Sequence, residues 1–556
     1  MGFVGIVKFF VRRLIEISLI ATILVVIPNL PPQAQFSKPF TITSPRPYAG
    51  KLTLNKRLNK AEVWHKGDFV GAECFAGYNG ELYTSLLNGD IVKLTGDSHI
   101  TPVVKFGKPC RATYEERICG RPLGIQFSQN GQLFACDAYY GLYRVNIKTG
   151  EKVQLVNPKT EIAGKQTKLF NSLAVASNGD IYWTASSTQF HLEDGIYDFL
   201  ADPSGRLIHY NVKTKENVVL IDNIHFANGV VLSKDEDFVI VSESARNRLL
   251  RYYLKGPKKG THDVFLDGLP GVPDNLHSDG KDGYLVSLIY LIDKDHPALV
   301  QSMGPFPWLR KAIARFMGIT EYLVRKVDQY YPNEVSQKVA YYIGHFTSTP
   351  KWFFPKLGGV LRVNKNGEIT DSIFSDTFTT LSEAYVYGDK LYLGSPFNDY
   401  IARVSLSDVG WNDLKTDTHG KQSANGDTPK AAPKTSIPTT TTPKPTTTTP
   451  KPTTTTSKPT TTTPKPTTTT PKPTTTTSVP TTTTSKPTTT TPKTSTTAKP
   501  STTTSKPSTT TPKPTTSLPA SVPVDTTTTR KEAHSSPPAS TQTSSTNEKR
   551  NVPQQK

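Results

Sequence analysis

The chain has 556 residues and a formal charge of +19, from 65 Lys and Arg against 46 Asp and Glu. From Gly420 onward 18 basic residues face only 4 acidic ones, in a Thr-, Pro-, Ser- and Lys-rich tail with no aromatic residue after Trp411. Such a tail cannot bury a core. Its lysines are spread one per repeat rather than clustered, so nucleic acid is excluded as a partner.

Residues 1–13, with Lys8, Arg12 and Arg13, read as a cytosolic N-terminus, and residues 14–30 as a signal-anchor transmembrane segment. Leu14 to Pro28 is apolar except for Glu16, Ser18 and Thr22, and positive charges stay on the cytosolic side. The membrane is then a partner, and the protein is a single-pass type II protein of the plasma membrane with everything else outside. The Pro-Pro-Gln-Ala-Gln that follows is a poor cleavage site; secretion after signal removal is the alternative. Residues 31–50 read as a linker.

Over residues 51–412 one phrase recurs, an apolar run, a polar turn and a strand rich in aliphatic and aromatic residues. The turns are Asn79-Gly80, Asn130-Gly131, Asn178-Gly179, Asp235-Glu236-Asp237, Lys281-Asp282-Gly283 and Gly388-Asp389. Asn-Gly between alternating apolar runs is a hairpin signal, because type I′ turns need positive φ at both central positions. Six repeats of blade length, each with a further hairpin such as Gly141 to Leu155, predict an all-β, six-bladed β-propeller closed by joining the first and last strands. Within the fifth repeat, residues 291–344 form an insertion in which Trp308–Met317 and Tyr322–Tyr331 show helical spacing. They predict a helical cap over one mouth, with contact between its basic, aromatic face and the membrane as the alternative.

Four cysteines lie in this head. Cys110 and Cys119 bracket a short polar loop and predict a disulfide; Cys74 and Cys136 sit in apolar strand contexts and read as buried free thiols. No Asn-x-Ser/Thr sequon occurs, so N-glycosylation is not expected.

Four segments place an oxygen donor beside small residues at the start of a repeat: Glu73 in Gly-Ala-Glu-Cys-Phe, Asn171 in Leu-Phe-Asn-Ser-Leu, Asn228 in Phe-Ala-Asn-Gly-Val, and Asp274 with Asn275 in Val-Pro-Asp-Asn-Leu. Singly, each reads as a turn or cap residue. Jointly, carboxylates and amide carbonyls converging on a propeller axis suit a hard divalent cation such as Ca²⁺.

Phe226-Ala-Asn-Gly-Val-Val-Leu-Ser-Lys-Asp-Glu-Asp237, followed by Glu243 and Arg248 to Gly256, resembles the strictosidine-synthase-like family, as does Cys119-Gly-Arg-Pro-Leu-Gly-Ile125 with Asp137 to Leu142. The resemblance covers most of Leu52 to Val409. It implies a six-bladed propeller related to the paraoxonase and gluconolactonase groups, with Glu73, Asn171, Asn228, Asp274 and Asn275 as metal ligands. The implied activity is metal-dependent, arylesterase-type hydrolysis of a small ester or lactone, with Asp274 among the catalytic residues. Leu123 stands where paraoxonases carry a proton-transferring His, which leaves the base unassigned among His191, His225 and His277. Glu383 falls near the catalytic Glu of plant strictosidine synthases, and a synthase-type lyase is the less favoured outcome.

Residues 413–556 read as a disordered, mucin-like tail. Lysine returns every seven residues at Lys444, Lys451, Lys458, Lys465 and Lys472, within repeats of Thr and Pro. Pro favours polyproline II and Thr beside Pro accepts O-linked sugars, giving a stalk of at most ~400 Å. A cell-surface glycoprotein bound by lectins through its O-glycans, with a non-catalytic adhesion or recognition head, is therefore the alternative to a weak hydrolase.

Overall fold

Each of the six polar turns joins the first and second strands of a separate four-stranded antiparallel sheet. The computed structural model describes residues 3–416, so nearly all of the Thr/Pro-rich tail lies outside the described residues. Only the first turn has both central residues left-handed, Asn79 at φ 50° and Gly80 at φ 81°. The other five reverse around a single left-handed residue, Gly131, Gly179, Glu236, Gly280 or Gly388, so the hairpins are real but most use longer loops than a two-residue type I′ turn.

The innermost strands are Phe75–Tyr78, Pro122–Phe127, Leu169–Val175, Ala227–Leu232, Gly271–Ser278 and Glu383–Tyr387. Each touches the innermost strand of the next sheet, and the sixth touches the first. The sheets thus stand around an axis in the manner of a propeller. Closure is made by Glu62–Trp64, which pairs antiparallel with Ile401–Ser405, so the sixth sheet takes its outermost strand from the start of the head. The core lies between neighbouring sheets; between the second and third, Phe170 stacks on the buried Trp183 at 4.8 Å.

The cap emerges between Tyr284–Leu291 and Gly358–Val363. The two helical segments expected from spacing are one continuous helix, Pro307–Tyr330, followed by Glu334–Gly344. Gly318 does not break it. A Cβ at Gly318 would lie 2.6 Å from the Pro31 carbonyl oxygen, so this glycine admits the crossing N-terminal chain. Arg310 pins the helix from below: its side chain is fully buried and donates to the carbonyls of Leu200, Ala201 and Lys38, with its guanidinium 4.9 Å from the Phe40 ring centroid. Arg310→Met is expected to lower stability by about 2 kcal/mol, since those carbonyls lose a charged donor, and limited proteolysis should then cut within the cap first.

Residues 31–50, expected as a linker, are packed along the head. Phe36 and Phe40 are buried, Ser37 donates to Asp202 at 2.7 Å, and the Tyr48 hydroxyl donates to Ile292 O at 2.8 Å. The apolar anchors at Phe36 and Phe40 explain why this stretch does not hang free.

An N-terminal helix spans Phe3–Val26 and buries none of its side chains. It starts well before residue 14 and includes Lys8, Arg12, Arg13 and Glu16. No helix among the described residues is long and apolar enough to cross a membrane. Its C-terminal carbonyls are capped by Arg315 of the long cap helix, whose Nη1 donates to Leu24 O at 2.7 Å and Ile27 O at 2.6 Å.

Cys110 and Cys119 form a disulfide, while Cys74 and Cys136 are free and buried, as the sequence contexts imply.

Candidate functional site

The inner strands are irregular where the oxygen donors sit. Strand pairing slips between Phe170 and Leu173, between Ala227 and Val230, and between Pro273 and Leu276. Each slip releases two residues from the ladder, Asn171-Ser172, Asn228-Gly229 and Asp274-Asn275, and a bulge of this kind re-aims side chains. In the second sheet the slip falls between Pro122 and Gly124 and presents Leu123.

Hydroxyl side chains of one sheet hold the excursion of the next. Thr184 and Ser186 donate to the carbonyls of Asn228 and Ala227, both at 2.7 Å, and Ser242 and Ser244 donate to those of Asp274 and Pro273 at 2.8 and 2.6 Å. At Gly229 the next strand passes so closely that a Cβ would lie 2.5 Å from Leu276 N and 2.6 Å from Asp274 O. Gly229→Ala is therefore expected to cost about 1–3 kcal/mol, because backbone rather than a flexible side chain must shift. A chemical denaturation midpoint would show it.

Glu73, Asn171, Asn228 and Asp274 meet at the floor of one cavity of about 680 Å³. Asn171 donates its amide nitrogen to Ser186 Oγ at 3.0 Å, which leaves its carbonyl for the channel. The Asn228 Oδ1 is buried and accepts no hydrogen bond. Desolvation, reinforced by the charge of Glu73, pushes the Asp274 carboxyl well above its usual range. Burial likewise raises Glu73 to about 7, against the opposing pull of Arg121. Two buried carboxylates that repel each other beside an orphaned amide oxygen are what a cation satisfies. The residues present therefore fit a hard divalent ion.

Asn275 lies beneath this floor rather than on it: its amide approaches the Glu73 carbonyl at 3.5 Å, and its backbone N–H donates to Ser382 O at 3.0 Å. Glu383 is fully buried and does not line the cavity; it meets His277 at 2.5 Å on the far side of the floor. Neither His191 nor His225 lines the cavity either. His191 is tied to the Lys168 carbonyl at 2.8 Å, and His225, fully buried, to that of Asp198 at 3.2 Å.

Arg121, Glu116 and His345, which sequence reasoning did not single out, also line it. Arg121, almost fully buried, places Nη2 3.4 Å from Glu73 and donates to the carbonyl of Gly71 at 3.1 Å. Glu116 is raised to about 7 by burial, against a hydrogen bond donated by the Tyr139 hydroxyl. His345 stands 3.8 Å from Glu116, and burial with the charge of Arg121 lowers it to about 3. Ser244, Gln301, Ser302, Ser348 and Thr349 also reach the lining, but most of the wall is apolar: Phe199 and Phe226 rise from below, while Met303, Phe306, Ile313 and Met317 come from the cap. Phe226 adopts φ 62°, a left-handed conformation that a bulky residue rarely takes.

The Strictosidine synthase family model matches residues 171–257, and the Strictosidine synthase-like, N-terminal model matches residues 50–94. Hemomucin, an adipocyte plasma membrane-associated protein of Drosophila melanogaster, is 42% identical over 400 residues, which cover 70% of this chain and 69% of that one. The adipocyte plasma membrane-associated proteins of Gallus gallus and Homo sapiens are 33% and 31% identical, in each case over 67% of this chain and 84% of theirs. Among solved structures, a gluconolactonase from Xanthomonas campestris gives a TM-score of 0.41 at 14% identity, over 68% of this chain and 99% of that one. The calcium-binding protein regucalcin from Agrobacterium tumefaciens gives 0.37 at 11%, over 65% and 95%.

Proposed function

The chain belongs to the strictosidine-synthase-like family, alongside hemomucin and the adipocyte plasma membrane-associated proteins, and from that premise we propose that its head is a six-bladed propeller hydrolysing lipophilic carboxylic esters or lactones with a divalent cation, Ca²⁺. The observation that carries this reading is the set of four oxygen donors at the floor of an apolar cavity of about 680 Å³, a volume typical of small-molecule sites.

Glu73, Asn171, Asn228 and Asp274 hold the ion. A divalent ion held by these four residues would supply Lewis-acid chemistry to an ester or lactone carbonyl. The protein supplies the rest. Arg121 offsets part of the charge of Glu73, and the aromatic and aliphatic walls seat an acyl or aryl group and keep bulk water out. With Leu123 facing the cavity, proton transfer falls to Glu116, whose carboxyl at about 7 is matched to neutral operation. His345 is too weak a base for that step.

The N-terminal helix holds the head at a membrane surface through its exposed apolar side chains, and Thr residues within residues 413–556 carry O-linked sugars. Support for attachment is the exposed apolar surface of Phe3–Val26, continued on the cap by Trp308, Phe316, Tyr322 and Leu323. A cap lying at a lipid surface delivers apolar substrates to an apolar cavity.

The test is turnover of phenyl acetate by the full chain before and after chelation. Loss with chelator and recovery with Ca²⁺ is expected. Uptake of Ca²⁺ without turnover would instead assign the head to recognition, with lectins binding the stalk.

A further inference from the structure

Below the floor of the cavity, three residues from three sheets converge. Cys74 immediately precedes the inner strand of the first sheet, His277 lies on that of the fifth, and Glu383 opens that of the sixth. One ligand atom from each, the Cys74 Sγ, a His277 ring nitrogen and a Glu383 carboxylate oxygen, lies within 4.8 Å of the other two. Because the first, fifth and sixth sheets are consecutive around the ring, this is a fixed meeting point of three strands rather than a loop arrangement.

We propose that Cys74, His277 and Glu383 form a second cation site, selective for a zinc-class divalent ion and distinct from the oxygen-donor floor above it.

Glu383 is fully buried, and although the side chains of His277, Cys74 and Asn275 approach its carboxylate, no donor is aligned on either oxygen. The 2.5 Å approach of His277 Nε2 brings the two ligand atoms together without aligning a ring N–H on the oxygen. A buried carboxylate with no aligned donor is costly even beside an imidazole; a cation shared with that imidazole and the neighbouring thiolate offsets the cost.

Donor chemistry sets the ion. Sulfur and imidazole nitrogen are poor ligands for Ca²⁺ and good ones for Zn²⁺, which takes Cys, His and Glu together. Thiolate and carboxylate together neutralise a divalent charge, and coordination releases the thiol proton. Three protein ligands leave a fourth position for water. The His277 side chain is 21% exposed although it does not line the cavity, so solvent reaches the cluster from the side away from the floor. Cys136, the other free thiol, has the Ser172 carbonyl at 3.6 Å as its partner and belongs to no such group among the described residues, which makes it the internal control.

Co²⁺ reports thiolate ligation directly through its thiolate-to-metal charge-transfer absorption. The full chain, stripped of metal and saturated with Ca²⁺, is titrated with Co²⁺ and then with Zn²⁺. One equivalent of Co²⁺ should produce the band, and Zn²⁺ should displace it. Cys74→Ser should abolish the band, and His277→Ala and Glu383→Gln should each weaken Zn²⁺ binding by more than about 100-fold, beyond the loss seen for groups that only support a ligand. Cys136→Ser and Asp274→Asn should leave the band unchanged, so this site and the hydrolase site fail or stand separately. Absence of the band in the wild-type chain overturns the proposal whether or not any variant folds. Its survival in Cys74→Ser, or its loss in Asp274→Asn, overturns it too.

Discussion

Asp274→Asn is expected to lower Ca²⁺-dependent hydrolysis of phenyl acetate by about two to three orders of magnitude, the range seen when a group that stabilises an oxyanion is removed. The same substitution should raise the thermal midpoint of the calcium-free protein. Both signs follow from one arrangement. Asp274 and Glu73 are both raised by burial, and the charge of Glu73 raises Asp274 further, so without a cation they repel, and an amide in place of the Asp274 carboxyl relieves the repulsion at nearly constant volume. With a cation, that amide supplies a dipole where a full charge is needed. Thermal melts with and without Ca²⁺, beside initial rates, measure both. An Asp274→Asn variant that melts lower in chelator and hydrolyses normally with Ca²⁺ would show that Asp274 is structural.

Which donors gather on the axis was legible because the repeats are. Asn171, Asn228 and Asp274 each follow a short apolar run at the same point of a repeat, and position in a repeat translates into position around a ring. The reason they leave the ladder was not legible. It lies in Thr184, Ser186, Ser242 and Ser244, whose hydroxyls grip the backbone of the following sheet, and Ser and Thr in strands otherwise read as ordinary polar positions. Arg121, Glu116 and His345 were missed for another reason. Glu116 sits inside the disulfide loop, which read as a surface feature, and His345 follows the second cap helix, so both reach the cavity from outside the repeat. Residues 31–50 lacked the alternation of a strand and the spacing of a helix. Pairs such as Phe36 and Phe40 were the available signal that they pack.

Glu116 and Asp198 should each make the metal-free protein less stable as pH rises from about 4.5 to about 7, which is opposite to the trend set by ion-paired carboxylates. Glu116 and Asp198 are each about 1% exposed, and burial raises each to about 7. The hydrogen bond donated to Glu116 by Tyr139 only partly offsets it, and neither carboxylate oxygen of Asp198 accepts a hydrogen bond. In this window the unfolded chain has already released these two protons while the folded one keeps them. The folded state therefore binds more protons, and unfolding becomes easier with each step up in pH. Each carboxyl contributes on the order of 3 kcal/mol across the window. Surface carboxylates such as Asp371, held low by its hydrogen bonds to Arg57 and Trp411 despite partial burial, act the other way, but only at pH below their usual range. The buried imidazoles of His191, His225 and His345, held neutral by desolvation, also act the other way within the window, so the carboxyl contribution is read as the difference between the wild-type chain and variants that lack it. Urea denaturation of the full chain in chelator, at the two ends of the window, measures the difference. Glu116→Gln and Asp198→Asn should each raise the midpoint at the upper end, because a neutral amide has no proton to lose. Variants whose midpoints shift with pH just as the wild-type chain's does would mean that these carboxyls ionise normally inside the head, and that Glu116 is not poised for proton transfer at neutral pH.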